Sequence, residues 1–68
     1  MTTFEEIKAQ CALVKLGTTS DEIQELENLV MLALIAHREH GRITLEQHKE
    51  LAAYTASLCW ERDAELKA

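Results

Sequence analysis

The sequence has no proline and only two glycines among its 68 residues. Because these two residue types most often mark turns and interrupt helices, their scarcity favours long helices and excludes a protein built from many strands and tight turns. Only two cysteines are present, Cys11 and Cys59, which excludes a small domain held together by several disulfides. A chain this short has a small core, so a second subunit is the expected source of additional stability.

Basic residues and long apolar runs are also scarce. Seven Lys and Arg residues stand against twelve Asp and Glu residues, and the net charge is −5. Since nucleic-acid binding depends on a basic patch that neutralises phosphates, this balance argues against direct contact with DNA or RNA. The longest apolar run, "LVMLALIA", has eight residues, whereas a membrane span needs about 20. With a polar, acidic start in place of a secretory signal, the sequence predicts one soluble domain, residues 1–68, in the cytoplasm.

Three Thr-x-x-Glu/Gln sequences predict where helices begin. They are Thr3 with Glu6, Thr19 with Glu22, and Thr44 with Gln47. In this capping box the threonine side chain accepts a hydrogen bond from the third helical residue, whose own side chain reaches back to the threonine backbone. Gly17 and Gly41 are predicted to end the two preceding helices in the left-handed conformation. The predicted fold class is therefore all-α, with helices over about 4–16, 20–40 and 45–66.

Short connections between the predicted helices indicate that each helix packs antiparallel to the next. The second and third helices then form a helical hairpin, to which the first adds a short N-terminal helix. The segment "GRITLEQ", residues 41–47, is the turn of this hairpin. It resembles the turn in the helical hairpins of SHOCT domains, which carry a glycine, an isoleucine, a threonine and then acids. The resemblance covers about residues 29–55 and does not extend to the first helix.

Apolar residues at helical spacing predict which face of each helix is buried. The predicted stripes are Phe4, Ile7, Cys11 and Val14 in the first helix, Ile23, Leu26, Val30, Ala33, Leu34 and His37 in the second, and Leu45, Ala52, Cys59 and Leu66 in the third, flanked by Leu51, Thr55, Leu58 and His48. The second helix carries further apolar residues on its far side: Met31, Leu32 and Ile35. A helix that is apolar on nearly all sides is usually buried on more than one face.

Three arrangements are possible for Met31, Leu32 and Ile35. The first helix can cover them in a closed three-helix bundle, a second copy of the hairpin can cover them in a homodimeric helical bundle, or they can stay open for a foreign protein. We favour the homodimer. Tyr54 and Trp60 lie off the main stripe of the third helix, and both residue types are enriched at interfaces. They are therefore predicted partner contacts, with the alternative that Trp60 seals the edge of the bundle against the first helix.

Three histidines between residues 37 and 48 raise the question of a metal site. His37 and His40 can share one helix face, and His48 follows the turn. Zinc sites usually have close pairs of ligands on both sides of a loop, and here only one pair is close. His37, His40 and His48 are therefore weak candidates. The prediction is that they belong to a helix end and a turn, and that no metal or cofactor is bound.

Catalytic chemistry has little support in this sequence. Cys11 and Cys59 fall on apolar stripes, where thiols are usually inert. No glycine-rich phosphate loop is present, and so small a core leaves little space for a substrate. The sequence predicts a small non-catalytic regulatory or adaptor protein, of the phage- or plasmid-accessory kind, that binds itself and another protein. Two alternatives stay open: a metal- or thiol-responsive sensor, and a helix-turn-helix-like regulator associated with transcription.

Overall fold

The computed structural model describes residues 3–68, which form three α-helices and one 3₁₀ helix. The helices are α1 (Thr3–Cys11), the 3₁₀ helix (Ala12–Leu16), α2 (Ser20–Glu39) and α3 (Leu45–Lys67). No strand occurs within the described residues. The predicted all-α class with three helices is confirmed, and the predicted bounds of the second and third helices are correct to one residue.

The first predicted helix differs from the prediction at both ends. Thr3 is already helical, as the first residue of α1, so it is not the cap that the Thr3–Glu6 sequence predicted. At the other end α1 stops at Cys11, and Ala12–Leu16 wind more tightly as a 3₁₀ helix. Side chains three residues apart eclipse each other in a 3₁₀ helix. Leu13 and Leu16 therefore point to the same side, and both are exposed.

Side-chain caps begin α2 and α3. At α3, Thr44 Oγ1 accepts from the Gln47 backbone N–H at 3.1 Å, and Gln47 Oε1 accepts from the Thr44 backbone N–H at 2.9 Å. The capping box predicted there is confirmed. At α2 only half of the predicted box forms. Thr19 Oγ1 accepts from the Glu22 backbone N–H, but the Glu22 carboxylate accepts hydrogen bonds from Thr18.

The two glycines end their helices by different physical means. Gly41 has φ +72°, as predicted. The backbone N–H groups of Gly41 and Arg42 donate to carbonyls of the last turn of α2 at 3.0 and 2.9 Å, which is the pattern of a Schellman motif. Gly17 has φ −64°, so the left-handed conformation predicted for it is wrong. Glycine fits at position 17 for a steric reason: the Cβ of any other residue would lie 2.7 Å from Ile23 Cγ1.

The core lies where α1, the 3₁₀ helix and α2 meet α3. Its buried apolar residues are Ile7, Cys11, Val14, Ile23, Val30, Leu34, Ile43, Leu51, Leu58 and Cys59. In α3 the buried stripe centres on Leu51, Thr55 and Leu58, whereas Leu45 and Leu66, the ends of the predicted stripe, are exposed. Thr55 can occupy the centre because its Oγ1 donates to the Leu51 carbonyl at 2.8 Å, so the buried hydroxyl is hydrogen-bonded.

Polar contacts hold the start of α2 against the last turns of α3. Arg62 Nε donates to the Gly17 carbonyl at 2.9 Å, and Ser20 Oγ donates to Asp63 Oδ1 at 2.5 Å. The described residues form a body 39 Å long and 18 Å across in each other direction. None of their helices combines the length and apolar character needed to cross a membrane.

Replacing Thr44 with alanine is expected to lower the free energy of unfolding by about 0.5–2 kcal/mol, because the side-chain acceptor at the start of α3 is lost. Urea denaturation followed by circular dichroism measures this change. Ser57→Ala, at an exposed position inside α3, is the control and should stay within about 0.5 kcal/mol of the original protein. Equal stability of the original protein and the Thr44→Ala variant would contradict a stabilising role for the capping box.

Candidate interaction surfaces

Large apolar side chains are exposed on more than one side of the molecule. They are Leu13, Leu16, Leu29, Leu32, Ile35, Leu45, Trp60 and Leu66. Single exposed apolar residues are normal on protein surfaces, whereas contiguous apolar patches mark places where another molecule binds. Two grooves bring several of these side chains next to other apolar residues, and both are candidate interaction surfaces.

The first groove runs between α2 and α3 and has a volume of about 390 Å³. We call it the Trp60 groove. Its lining residues are Ser20, Ile23, Gln24 and Glu27 of α2 with Ala56, Cys59, Trp60, Asp63 and Lys67 of α3. Trp60 is 76% exposed, so it does not seal the edge of the bundle against α1. Its large apolar surface is available to a partner.

Met31 and Ile35, two of the predicted interface residues, lie on the side of α2 that forms the Trp60 groove. A helix advances by about 100° per residue, which puts both residues within about 20° of Gln24 around the helix axis. Gln24 lines the groove. Met31 is half-buried against the core, and Ile35 is exposed. The structure therefore brings Met31, Ile35 and Trp60 to one side of the α2–α3 pair.

Leu32 and Tyr54 lie away from that side. Leu32 is exposed but sits about 60° further around α2 than Ile35. Tyr54 is half-buried and packs against the core. Lys8 Nζ of α1 lies 5.0 Å from the centre of its ring, a distance at which a cation–π interaction forms. Tyr54 is thus engaged within the chain, whereas Leu32 extends the apolar surface of α2 toward a second groove.

The second groove lies between the 3₁₀ helix and α2, and we call it the leucine groove. It consists of two hollows of about 320 and 270 Å³ that share Leu26 and Leu29. Its lining residues are Gln10, Leu13, Leu16, Gly17, Glu22, Glu25, Leu26, Leu29, Val30 and Ala33. Leu16 is 70% exposed and Leu29 is 63% exposed.

Sequence reasoning missed the leucine groove. Leu13, Leu16 and Leu29 belonged to no predicted stripe, because each lies beside rather than on the face that enters the core. The sequence did contain a signal for this groove: Leu13 and Leu16 lie three residues apart near the end of the first predicted helix. A second short apolar row, at positions 26, 29 and 33, has helical spacing of its own.

Acidic residues edge one end of the leucine groove. Glu22 and Glu25 line it. Thr18 donates to the Glu22 carboxylate from Oγ1 and from its backbone N–H, and these hydrogen bonds lower the pKa of the Glu22 carboxyl from its usual 4.5. Residues 1–30 also hold six of the twelve acidic residues but only two of the seven basic ones, Lys8 and Lys15. Residues 1–30, which include every lining residue of this groove except Ala33, therefore carry most of the net negative charge.

The three histidines occupy separate surroundings. His37 lies between α1 and the turn, with Nε2 3.4 Å from Gln10 Oε1 and Nδ1 3.3 Å from Arg42 Nη1. His40 is exposed at the end of α2. His48 has a buried Nδ1 without a hydrogen-bond partner among residues 3–68. Within that range, no group of three or more His, Cys, Asp or Glu side chains is placed to hold a metal ion.

Both cysteines are buried free thiols. Burial, with a further contribution from the Glu27 carboxylate, raises the pKa of the Cys59 thiol to about 11. The thiolate is the reactive form of cysteine, and it is scarce at neutral pH when the pKa is this high. The surroundings of Cys59 thus count against the thiol-responsive alternative.

Iodoacetamide is expected to alkylate Cys59 at pH 8 at least about 100-fold more slowly in the native protein than in urea, because burial limits access and suppresses the thiolate. Mass spectrometry of peptides from timed samples measures this rate. Glu27→Gln should speed the native reaction by removing a nearby negative charge, whereas Glu25→Gln, its exposed neighbour in α2, should not. Equal rates in native and unfolded protein would contradict the buried placement of Cys59.

Comparison with known proteins finds no family model, no curated protein and no solved structure that matches this chain. The resemblance of residues 29–55 to SHOCT hairpins therefore stays a sequence-based expectation.

Proposed function

We propose that this protein is a small non-catalytic regulatory or adaptor protein that acts by binding protein chains, one of them a second copy of itself. The observation that carries the proposal is the 76% exposure of Trp60 beside a groove. Burying a large apolar side chain is worth about 1.5–3 kcal/mol relative to leaving it in water. Tryptophan is also among the residues most enriched at the centres of interfaces. An exposed tryptophan beside a groove is therefore typical of a binding surface.

In the proposed dimer, α2 and α3 form an antiparallel hairpin that pairs with the hairpin of a second copy in a four-helix core. The hydrogen bond from Ser20, the first residue of α2, to Asp63 near the end of α3 supports the antiparallel hairpin. Met31, Ile35 and Trp60 would lie in the interface between the copies, since they share one side of the hairpin.

Small residues beside Trp60 support close approach of a second copy. Ala53 and Ala56 are exposed, and Ala56 lines the Trp60 groove. Both lie within about 40° of Trp60 around the axis of α3. Short side chains let a facing helix come near enough for the indole ring to be covered by the partner. The non-catalytic character is proposed because the one thiol in this lining, Cys59, has a raised pKa, which makes the reactive thiolate scarce at neutral pH.

Sedimentation equilibrium over a wide concentration range tests the dimer. The original protein is expected to dimerise, and Trp60→Ala is expected to raise the dimer Kd at least about tenfold, equivalent to about 1.4 kcal/mol. Leu16→Ala removes a comparably exposed apolar side chain outside the Trp60 groove and should leave the Kd unchanged. Circular dichroism should show that both variants keep their helix content.

Charged substitutions on α2 give a second test of the same face. Met31→Asp and Ile35→Asp are each expected to give monomers that retain most of their helix, because a buried unpaired charge is costly in an interface. A monomeric original protein at the highest concentration would overturn the dimer. If both aspartate variants unfold, this side of α2 is internal core and cannot be the self-pairing face.

A further inference from the structure

We propose that the leucine groove binds one amphipathic helix from another protein, with apolar residues on the face that enters the groove and lysine or arginine residues beside that face. The inference extends the proposed function by giving the foreign partner a site and a chemistry. It uses a surface distinct from the Trp60 groove, since the two grooves share no lining residue.

The dimensions of the groove fit a short helix. It follows α2 from Glu22 to Ala33, and at a rise of ~1.5 Å per residue this segment is about 17 Å long. That length corresponds to about three turns of a docked helix. The 3₁₀ helix supplies the other wall through Leu13 and Leu16. Two walls with an apolar floor are the arrangement in which an amphipathic helix binds through residues spaced three and four apart.

The apolar lining of the groove favours a ligand with apolar side chains on the face that enters it. Leu26 and Val30 are partly or fully buried and form its floor. Leu13, Leu16 and Leu29 are half exposed or more and rise beside it. These three leucine side chains remain in contact with water when no ligand is bound. A ligand helix with leucine-type side chains along one face would cover all three leucines at once.

The charges around the groove select a basic helix. Glu22 and Glu25 stand at one end of the groove. The hydrogen bonds that the Glu22 carboxylate accepts from Thr18 lower the pKa of its carboxyl. Neither of the two basic residues in this half of the chain, Lys8 and Lys15, lines the groove, and Lys8 lies over the Tyr54 ring. Lysine or arginine residues on the ligand would complement the acidic end. An anionic lipid surface would be repelled by the same carboxylates.

A second copy of this chain matches the acidic end poorly. Every basic residue of α2 and α3 has an acidic residue within four positions along the sequence. Neither helix therefore offers a leucine face flanked by basic residues alone. A foreign helix is the occupant that the apolar lining and the acidic end favour together.

Fluorescence polarisation with two synthetic peptides tests the inference on the full chain. The probe is a fluorescein-labelled helix of about 18 residues with leucines at a and d and lysines or arginines at e and g. The control peptide keeps every leucine and replaces each basic residue with glutamate. The basic peptide is expected to bind at least about tenfold more tightly than the control, and salt should weaken its binding by screening. No binding of the basic peptide, or equal binding of the two, would overturn the proposal.

Paired variants place the peptide on the groove. Leu29→Asp is expected to weaken binding of the basic peptide at least about tenfold, whereas Leu45→Asp, at an exposed leucine of α3 outside the groove, should not. Glu25→Lys should weaken it about three- to tenfold, and Glu61→Lys, at an exposed position of α3, less than about twofold. Equal effects within either pair would overturn the assignment of the site.

Further measurements separate this inference from the proposed dimer. Leu29→Asp should leave sedimentation unchanged, while Trp60→Ala should leave peptide affinity unchanged. If the original protein dimerises but does not bind the basic peptide, only the inference of a foreign helix is overturned, and the proposed dimer stands. If Leu29→Asp abolishes dimerisation, a second copy occupies the groove and the inference fails. The protein is also tested for binding to vesicles of phosphatidylcholine and phosphatidylglycerol. If it binds them and Leu29→Asp removes this binding, the groove binds lipid and the inference is overturned as well.

Discussion

Leu34→Ala is expected to lower the free energy of unfolding by about 2–5 kcal/mol. Leu34 is 1% exposed and belongs to the core, so truncation removes buried apolar atoms and leaves a cavity that the surrounding helices fill only in part. A domain of this size rarely has more than about 3–5 kcal/mol of stability. A large fraction of the Leu34→Ala chains should therefore be unfolded at room temperature. Urea and thermal denaturation followed by circular dichroism measure the loss.

Leu32→Ala is the matched control, since it makes the same change two residues earlier in the same helix. Leu32 is 65% exposed, so the free energy of unfolding measured on dilute protein should change by less than about 0.5 kcal/mol. Any contribution of Leu32 to self-association would appear only as a shift in the concentration dependence of the melting temperature. Similar losses at both positions would show that Leu32 faces the core and that the described orientation of α2 is wrong.

Gly17→Ala is expected to destabilise the protein by about 1–3 kcal/mol. The backbone conformation alone predicts the opposite sign. Since φ is −64° and ψ is 138°, alanine fits without strain and would stabilise by about 0.4–1 kcal/mol through the unfolded chain. Space decides the outcome. The added Cβ would lie 2.7 Å from Ile23 Cγ1 and 3.1 Å from the Ile23 backbone N, and a backbone atom cannot move aside as a flexible side chain can.

Asparagine substitutions distinguish this mechanism from the one at Gly41. Gly41 has φ +72° and nothing within 4 Å of an added Cβ, so Gly41→Ala should cost about 1–2 kcal/mol through backbone conformation. Asparagine tolerates that conformation, and Gly41→Asn should recover much of the loss. Gly17→Asn should recover none, because its Cβ meets Ile23 in the same place. A Gly17→Ala variant that is more stable than the original protein would contradict the close packing of this segment.

Local signals in the sequence were sufficient for most helix ends. Thr44 with Gln47 predicted the start of α3, and Gly41 predicted the end of α2, because caps and left-handed glycines satisfy backbone groups within a few residues of the chain. Such signals need no knowledge of the rest of the fold. They failed where the partner was not the expected neighbour: Glu22 bonds to Thr18, one residue before its predicted partner.

The helical class, the two long helices and most of the buried residues of the first two helices were determined by the sequence itself, since helical periodicity and capping are local properties. Tertiary structure decided the rest. Leu45 and Leu66, the ends of the predicted stripe of α3, are exposed, because the other helices cover only the middle of that stripe. Trp60 is exposed, and Leu29 lines a groove while remaining exposed. Both are exposed because the neighbouring helices pack against only one side of α2 and of α3. That choice depends on where the other helices lie, and only packing in three dimensions sets it.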